Sequence, residues 1–199
     1  MRVIAGKARG TRLSSVKGLS TRPTGDRVKE ALFNILGQKV AGSSFLDLFA
    51  GSGAIGLEAL SRGAEQVIWV DADRACCAQI RKNLARTKLA GGTVYASDVF
   101  AALGRLEKQG QKFDIIFLDP PYSSTLIPGV LQAVHRLRLL RGSGLVVVEF
   151  SRHNSSWVAL YPGVRLKKYG DTLLSFIDER ALDAGAAEKE GQANGPDHV

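Results

Sequence analysis

From Ser44 onward, short apolar runs alternate with stretches of helical periodicity, and this alternation limits the fold more than any other feature. The predicted strands are Phe45–Phe49, Val67–Val70, Thr93–Tyr95, Ile115–Leu118 and Leu145–Phe150, with helical stretches near 54–62, 74–88, 99–109 and 127–138 between them. Continuous apolar strands separated by amphipathic helices pack as a mostly parallel sheet with helices on both faces, an α/β fold. The end of the chain breaks the pattern. Val164–Tyr169 and Leu173–Ile177 flank Gly170-Asp171, too short a connection for a parallel crossover, so an antiparallel final hairpin is expected.

Size and composition agree with one such domain. The chain has 199 residues, 45% of them apolar and 23% charged, which excludes a wholly disordered, collagen-like or coiled-coil chain. No apolar run approaches the roughly 18–20 residues of a membrane span, and the charged start MRVIAGKARG lacks a signal-peptide core, so no membrane association and a cytoplasmic location are expected. Cys76 and Cys77 are adjacent and fall on the helical face with Ile80 and Leu84, which reads as core filling rather than chemistry, and no metal site is expected.

The net charge of +8 is unevenly placed: residues 1–39 carry nine Lys/Arg against two Asp/Glu, whereas the last nineteen residues are net acidic. A basic end of this kind suits a polyanion, because each neutralised phosphate releases counterions. Three regions follow. Residues 1–22 are expected to form a basic hairpin or arm, 23–180 the α/β domain, and 181–199, which has no aromatic residue, a disordered acidic tail. Ahead of the sheet, Thr24 or Asp26 is placed to cap a helix whose apolar face is Val28, Ala31, Leu32, Ile35 and Leu36.

Two segments carry chemistry. Asp47-Leu-Phe-Ala-Gly51-Ser52-Gly53-Ala-Ile-Gly56 leaves the first strand and enters a helix. Gly51 and Gly53 permit a tight turn whose N–H groups face a ligand, and Gly56 permits close helix–sheet packing. Asp71 ends the next strand where a ribose-binding carboxylate belongs, and Asp98, after the third, is placed to accept from an adenine amine. The pattern fits either NAD(P) or S-adenosylmethionine. Asp47 would repel a pyrophosphate, whereas S-adenosylmethionine is cationic at sulfur and amine. Asp119-Pro120-Pro121-Tyr122 follows the fourth strand. Its two prolines fix a rigid turn. The Asp119 carboxylate and Pro120 carbonyl would accept the two N–H bonds of a ring-bound amine, with Tyr122 stacked on the ring. Such an arrangement methylates by positioning and preorganised electrostatics, without a metal.

These residues resemble the RsmD-type 16S rRNA (guanine-N2)-methyltransferases over about residues 2–178. The likeness is carried by Arg22-Pro-Thr-Gly-Asp-Arg27-Val-Lys-Glu30-Ala-Leu-Phe-Asn34, the glycine turn running on through Gly56-Leu-Glu-Ala-Leu-Ser-Arg-Gly-Ala64, Asp119-Pro-Pro-Tyr122, and Tyr169-Gly-Asp-Thr172. The resemblance implies a Rossmann-like class I methyltransferase fold with a seven-stranded sheet. It also implies S-adenosylmethionine as donor and 16S rRNA in an assembling small ribosomal subunit as substrate; a monomer is expected. Carried over by position, Asp47, Gly51, Ser52, Gly53, Asp71, Asp98 and Asp119 hold cofactor, and Asp119, Pro120 and Tyr122 act on the amine. Arg22, Thr24 and Arg27 lie beside the cofactor and RNA entrance. Arg2, Lys7, Arg9 and Arg12, with Lys17, are spaced along the arm for phosphate contacts. Lys167, Lys168 and Arg165 would extend that track, and Glu149 is read as structural. Gly25 and Asp71 depart mildly from the family pattern, and the tail has no counterpart. An N6-adenine methyltransferase and a non-catalytic RNA-binding assembly factor are the competing readings. If the arm is a separate RNA-binding element, removing residues 1–20 should weaken RNA binding and leave cofactor affinity nearly unchanged.

Overall fold

The structure, a computed structural model, describes residues 1–16, 25–121 and 125–193, the last six of these by backbone alone. Seven strands form one sheet: β1 (Ser44–Leu48), β2 (Gln66–Asp71), β3 (Gly92–Ala96), β4 (Phe113–Leu118), β5 (Leu140–Ser151), β6 (Arg165–Tyr169) and β7 (Thr172–Ile177). Their spatial order is β3-β2-β1-β4-β5-β7-β6. The first five are parallel, and β7 pairs antiparallel with both β5 and β6. Among the described residues the α-helices are α1 (Asp26–Leu36), α2 (Ala54–Ser61), α3 (Arg74–Thr87), α4 (Val99–Lys108), α5 (Leu126–Arg136) and α6 (Glu179–Ala193). No helix among the described residues is long and apolar enough to cross a membrane. Strand order reverses direction between β1 and β4, so a crevice opens at their carboxyl ends, the usual ligand seat of such a sheet.

Side-chain alternation along the strands divides the core in two. Leu46, Leu48, Ile116, Leu118, Val146 and Val148 face α4, α5 and the start of α6. Phe45, Ile115, Phe117 and Val147 face α1, α2, Ile80 of α3 and the N-terminal arm. Buried Cys76 and Cys77 are free thiols, and burial pushes Cys76 up to about 12, where it is unreactive as a nucleophile.

Three expectations need correction. The arm is no separate element. Among its described residues the strand pairing is one antiparallel bridge between Arg2 and Arg12, and Val3, Ala8 and Leu13 are buried in the second core cluster. Between these anchors Arg2, Lys7, Arg9 and Arg12 stay exposed, so the charge count hid a five-residue spacing of apolar contacts. The acidic tail is also ordered through Ala193 in α6. Average polarity concealed Ala181 and Leu182, which are buried, and Asp178, whose carboxylate accepts from Ala181 N at 3.0 Å to start the helix. Gly185 lets α6 approach so closely that a Cβ there would lie 2.2 Å from the Tyr161 ring. In α1, Asp26 is the first helical residue and Gly25 is the cap, while Thr24 lies outside the described residues.

The arm is held by a buried ionic network centred on Glu58 of α2. Its carboxylate accepts from Ile4 N (2.7 Å), Ala5 N (3.0 Å) and Arg62 Nε (2.8 Å), and lies 3.6 Å from Lys29 Nζ of α1. Lys29 donates also to the Arg2 carbonyl. Both charges are fully buried, and burial lowers the Lys29 pKa against the pull of Glu58. One turn along α2, Ser61 accepts from Ala8 N through its hydroxyl and from Lys7 N through its carbonyl. Gly6 passes here at φ 84, and any Cβ would sit 1.8 Å from the Ser61 carbonyl oxygen. Breaking one side of a buried pair strands the other charge and typically costs about 3–5 kcal/mol. Glu58→Gln should therefore lose about 3 kcal/mol in urea unfolding, and adding Lys29→Met should restore part of it. A single variant within about 0.5 kcal/mol of the parent would show that the network does not hold the arm.

Candidate active site

The site is built from the ends of adjacent strands. Asp47 is level with Phe117 and, through it, with Val147. With a period of two, Asp47, Asp119 and Glu149 share one face of three neighbouring strands, beneath the glycine turn. Burial first, then Glu149 and Asp47, holds the Asp119 carboxyl well above the usual carboxylate range. Asp47 is buried and pushed up to about 8 by loss of water, opposed by a 2.9 Å bond from Gly56 N and reinforced by Asp71. Glu149 is buried as well. The crevice floor is thus three carboxylates that a cation would stabilise and a phosphate would not.

The glycine turn is rigid. Gly51 and Gly53 adopt φ 54 and 76, and Gly53 N donates to the Ala50 carbonyl at 2.7 Å. Phe49, at the exit of β1, is also held at φ 59, a conformation that costs a bulky residue on the order of 1–3 kcal/mol. The surrounding bonds enforce it. Ala50 N donates to the Val70 carbonyl at 3.1 Å, and Asp47 holds the N-terminal turn of α2 through Gly56 N. A Cβ on Gly56 would lie 2.3 Å from Trp69 Nε1, so α2 packs against the sheet through the absence of a side chain. The same indole donates to the Gly53 carbonyl at 3.2 Å.

Asp71 stands at the rim, with Oδ2 accepting from Gly51 N (2.7 Å) and Oδ1 from Asp73 N (2.8 Å). Each oxygen keeps a lone pair for a hydroxyl, and partial burial raises its pKa against these two bonds. Asp98 is exposed and caps α4, its Oδ1 accepting from Phe100 N (2.9 Å) and Ala101 N (3.3 Å). Asp119 follows β4, with its N–H 3.4 Å from the Leu48 carbonyl, and Pro120 is buried behind it. Tyr122 lies outside the described residues, as do Lys17 and Arg22.

Of the basic residues, Arg2, Arg9 and Arg27 line one depression of about 380 Å³ together with Asp26 and Glu30, and Arg2 lies 3.8 Å from Asp26. Lys7 and Arg12 do not line it. Lys167 and Lys168 are exposed on β6, and the Arg165 guanidinium lies over the Phe176 ring at 4.8 Å. Sequence reasoning gave Glu149 only a structural role and did not single out Asn83 or Glu58. Glu149 could have been found from its parity with Asp47 on the neighbouring parallel strands. Asn83 and Glu58 looked like surface positions of amphipathic helices, and nothing local marked them as partners of the arm.

The profile of the family described as conserved hypothetical protein 95 matches residues 1–178. Ribosomal RNA small subunit methyltransferase D of Escherichia coli K12 is 38% identical over 154 residues, 77% of this chain and 76% of its own length. Among solved structures, a hypothetical protein of Thermus thermophilus superposes with a TM-score of 0.78 at 32% identity, covering 89% of this chain and 99% of its own. The 16S rRNA N2 G1207 methyltransferase of T. thermophilus, solved with AdoMet and guanosine, shares the fold. Its TM-score is 0.69 at 24% identity, covering 83% of this chain and 45% of that one. By the profile and by these identities, the chain belongs to the family of the ribosomal RNA small subunit methyltransferases D.

Proposed function

We propose that the protein transfers a methyl group from S-adenosylmethionine to the exocyclic N2 amine of a guanine in 16S ribosomal RNA, acting as a cytoplasmic monomer on an assembling small subunit. The observation that carries the choice of cofactor is the acidic floor: Asp47 and Asp119 have raised pKa values and share their face with buried Glu149. A pyrophosphate there would find no counter-charge and would raise these pKa values further; a sulfonium and an ammonium would draw the protons off and pair with the carboxylates left behind. Bound in this crevice, S-adenosylmethionine supplies an activated methyl group on a cationic sulfur that departs as a neutral thioether.

The chain's own residues do the rest. Gly51, Ser52 and Gly53 form the seat, Asp71 offers its remaining lone pairs to ribose hydroxyls, and Asp98 stands near the adenine. Asp119 and the Pro120 carbonyl accept the two N–H bonds of the target amine, and Tyr122 stacks on its ring. Asp119, ionised once a cation lies beside it, takes the proton that the nitrogen sheds, a role that suits a carboxylate of raised basicity. The choice of guanine N2 over adenine N6 rests on family membership, since Asp-Pro-Pro-Tyr serves both amines. Arg2, Arg9 and Arg27, gathered at one depression, hold RNA phosphates, with Lys7, Arg12 and Arg22 extending the contact.

Three outcomes test this reading. Asp119→Ala should slow methyl transfer by about 10²–10⁴-fold, and tritium from labelled cofactor should appear as N2-methylguanosine. Label in N6-methyladenosine, or an unimpaired variant, would sink the assignment. The second is protonic. Asp47 keeps its proton in the folded chain up to about pH 8 and loses it near its ordinary 3.8 when unfolded. Its contribution therefore lowers stability progressively as pH rises between these values. A cation beside it drives the proton off, so binding S-adenosylmethionine at pH 7 should release protons, and affinity should rise towards pH 8. Calorimetry in phosphate and in Tris should give different heats; equal heats would refute the coupling. Thirdly, replacing Arg2, Arg9 and Arg27 by Ala should flatten the salt dependence of RNA binding by about 0.7 in log–log slope per lost contact with single-stranded RNA. An unchanged slope would remove the depression from the RNA path.

A further inference from the structure

The N-terminal arm and the glycine turn meet at one side chain. Asn83 of α3 is fully buried. Its Nδ2 donates to the Ser14 carbonyl (2.9 Å) at the end of the described arm and to the Ser52 carbonyl (3.0 Å) inside the glycine turn. Its Oδ1 accepts from Ser14 N (3.0 Å) and from Gln79 Nε2 (3.2 Å). Both donors and both acceptor sites of the amide are used, so the group cannot reorient without leaving a buried partner unmet. One turn further along α3, exposed Arg86 grips the same stretch of arm, donating to the Arg12 carbonyl (3.1 Å) and the Ser14 hydroxyl (3.2 Å). Ile80, one turn earlier, is buried against the turn, where a Cβ on Gly53 would meet its Cγ1 at 2.9 Å. α3 therefore presents one edge to the arm and to the turn together.

We propose that Asn83 is a positioning residue that couples the seating of the N-terminal arm to the geometry of the glycine turn. What the arm binds and what the turn binds are then energetically linked. The ligand identities rest on the reading above, RNA at the arm and S-adenosylmethionine at the turn. The link itself rests on the bonds alone. A chain whose arm is well seated holds Ser52 in place and binds cofactor more tightly. By reciprocity, bound cofactor favours the seated arm by the same factor. On this reading, removing the arm weakens cofactor binding as well as RNA binding.

The test uses the full chain with Asn83→Ala, Arg86→Ala and both together. Arg86 is exposed and its hydrogen bonds go to the arm, so its variant folds and acts on the arm directly and on the turn only through it. Without cofactor, deuterium exchange at residues 50–54 should quicken in both single variants, although the hydrogen bonds of Arg86 go to the arm. With cofactor, Asn83→Ala should raise the KM for S-adenosylmethionine about tenfold, the loss of roughly one buried hydrogen bond's worth of order, while kcat at saturating cofactor falls no more than about twofold. Arg86→Ala should raise that KM about threefold alone and have no further effect beside Asn83→Ala, the non-additivity expected when one residue acts through the other. Exchange at 50–54 unchanged by Arg86→Ala, or additive effects on KM, would overturn the coupling. Faster exchange with an unaltered cofactor KM would keep the coupling and instead remove the turn as the cofactor's seat.

Discussion

A single carboxylate decides how the first third of this chain is arranged. Glu58 is fully buried on α2, and it is satisfied by two N–H groups of the arm, the ammonium of Lys29 on α1, and the guanidinium of Arg62 at the end of its own helix. A charge taken out of water at a cost of several kcal/mol tolerates few alternative arrangements of its partners. The arm, α1 and α2 are therefore fixed relative to one another by electrostatics as well as by the packing of Val3, Leu13, Leu32 and Phe33. Because α2 begins at the glycine turn, the same constraint reaches the crevice.

The crevice shows the opposite use of buried charge. Asp47 and Asp119 are held with raised pKa values, by burial above all, and the one backbone N–H that Asp47 accepts from Gly56 does not offset it. A site in this condition is poised for a cation. The strained Phe49 and the left-handed Gly51 and Gly53 follow the same logic: local cost is tolerated where the backbone must face a ligand.

The sheet was legible because its signal is periodic and local. Strands β1 to β4 and β7 and helices α2 to α5 start and stop within a few residues of the apolar runs that announce them, and Gly56 was recognisable as a packing glycine. The glycine turn and Asp119 could be placed because they sit at strand ends, where parallel topology dictates the crevice. What stayed hidden was non-local. Lys29 reads as a surface lysine until Glu58 is brought beside it from another helix. Asn83 reads as one polar residue among many on α3 until Ser14 arrives from the arm and Ser52 from the glycine turn. Leu182 was lost in a polar average. Asp98 was visible as an acid after β3, but its bonds to Phe100 and Ala101 also make it a helix cap, and spacing alone cannot separate the two uses.

The helix α6 has a further consequence. It closes the face of the sheet covered by α4 and α5, where Ala181 and Leu182 are buried, whereas the arm closes the opposite face with α1 and α2. The two ends of the described chain are thus kept apart by the full thickness of the sheet. A reporter or affinity handle joined at exposed Ala187 of α6 would stand on the α6 side, leaving the arginine-bearing surface open to whatever it binds. The same handle placed before Met1 would stand in its way.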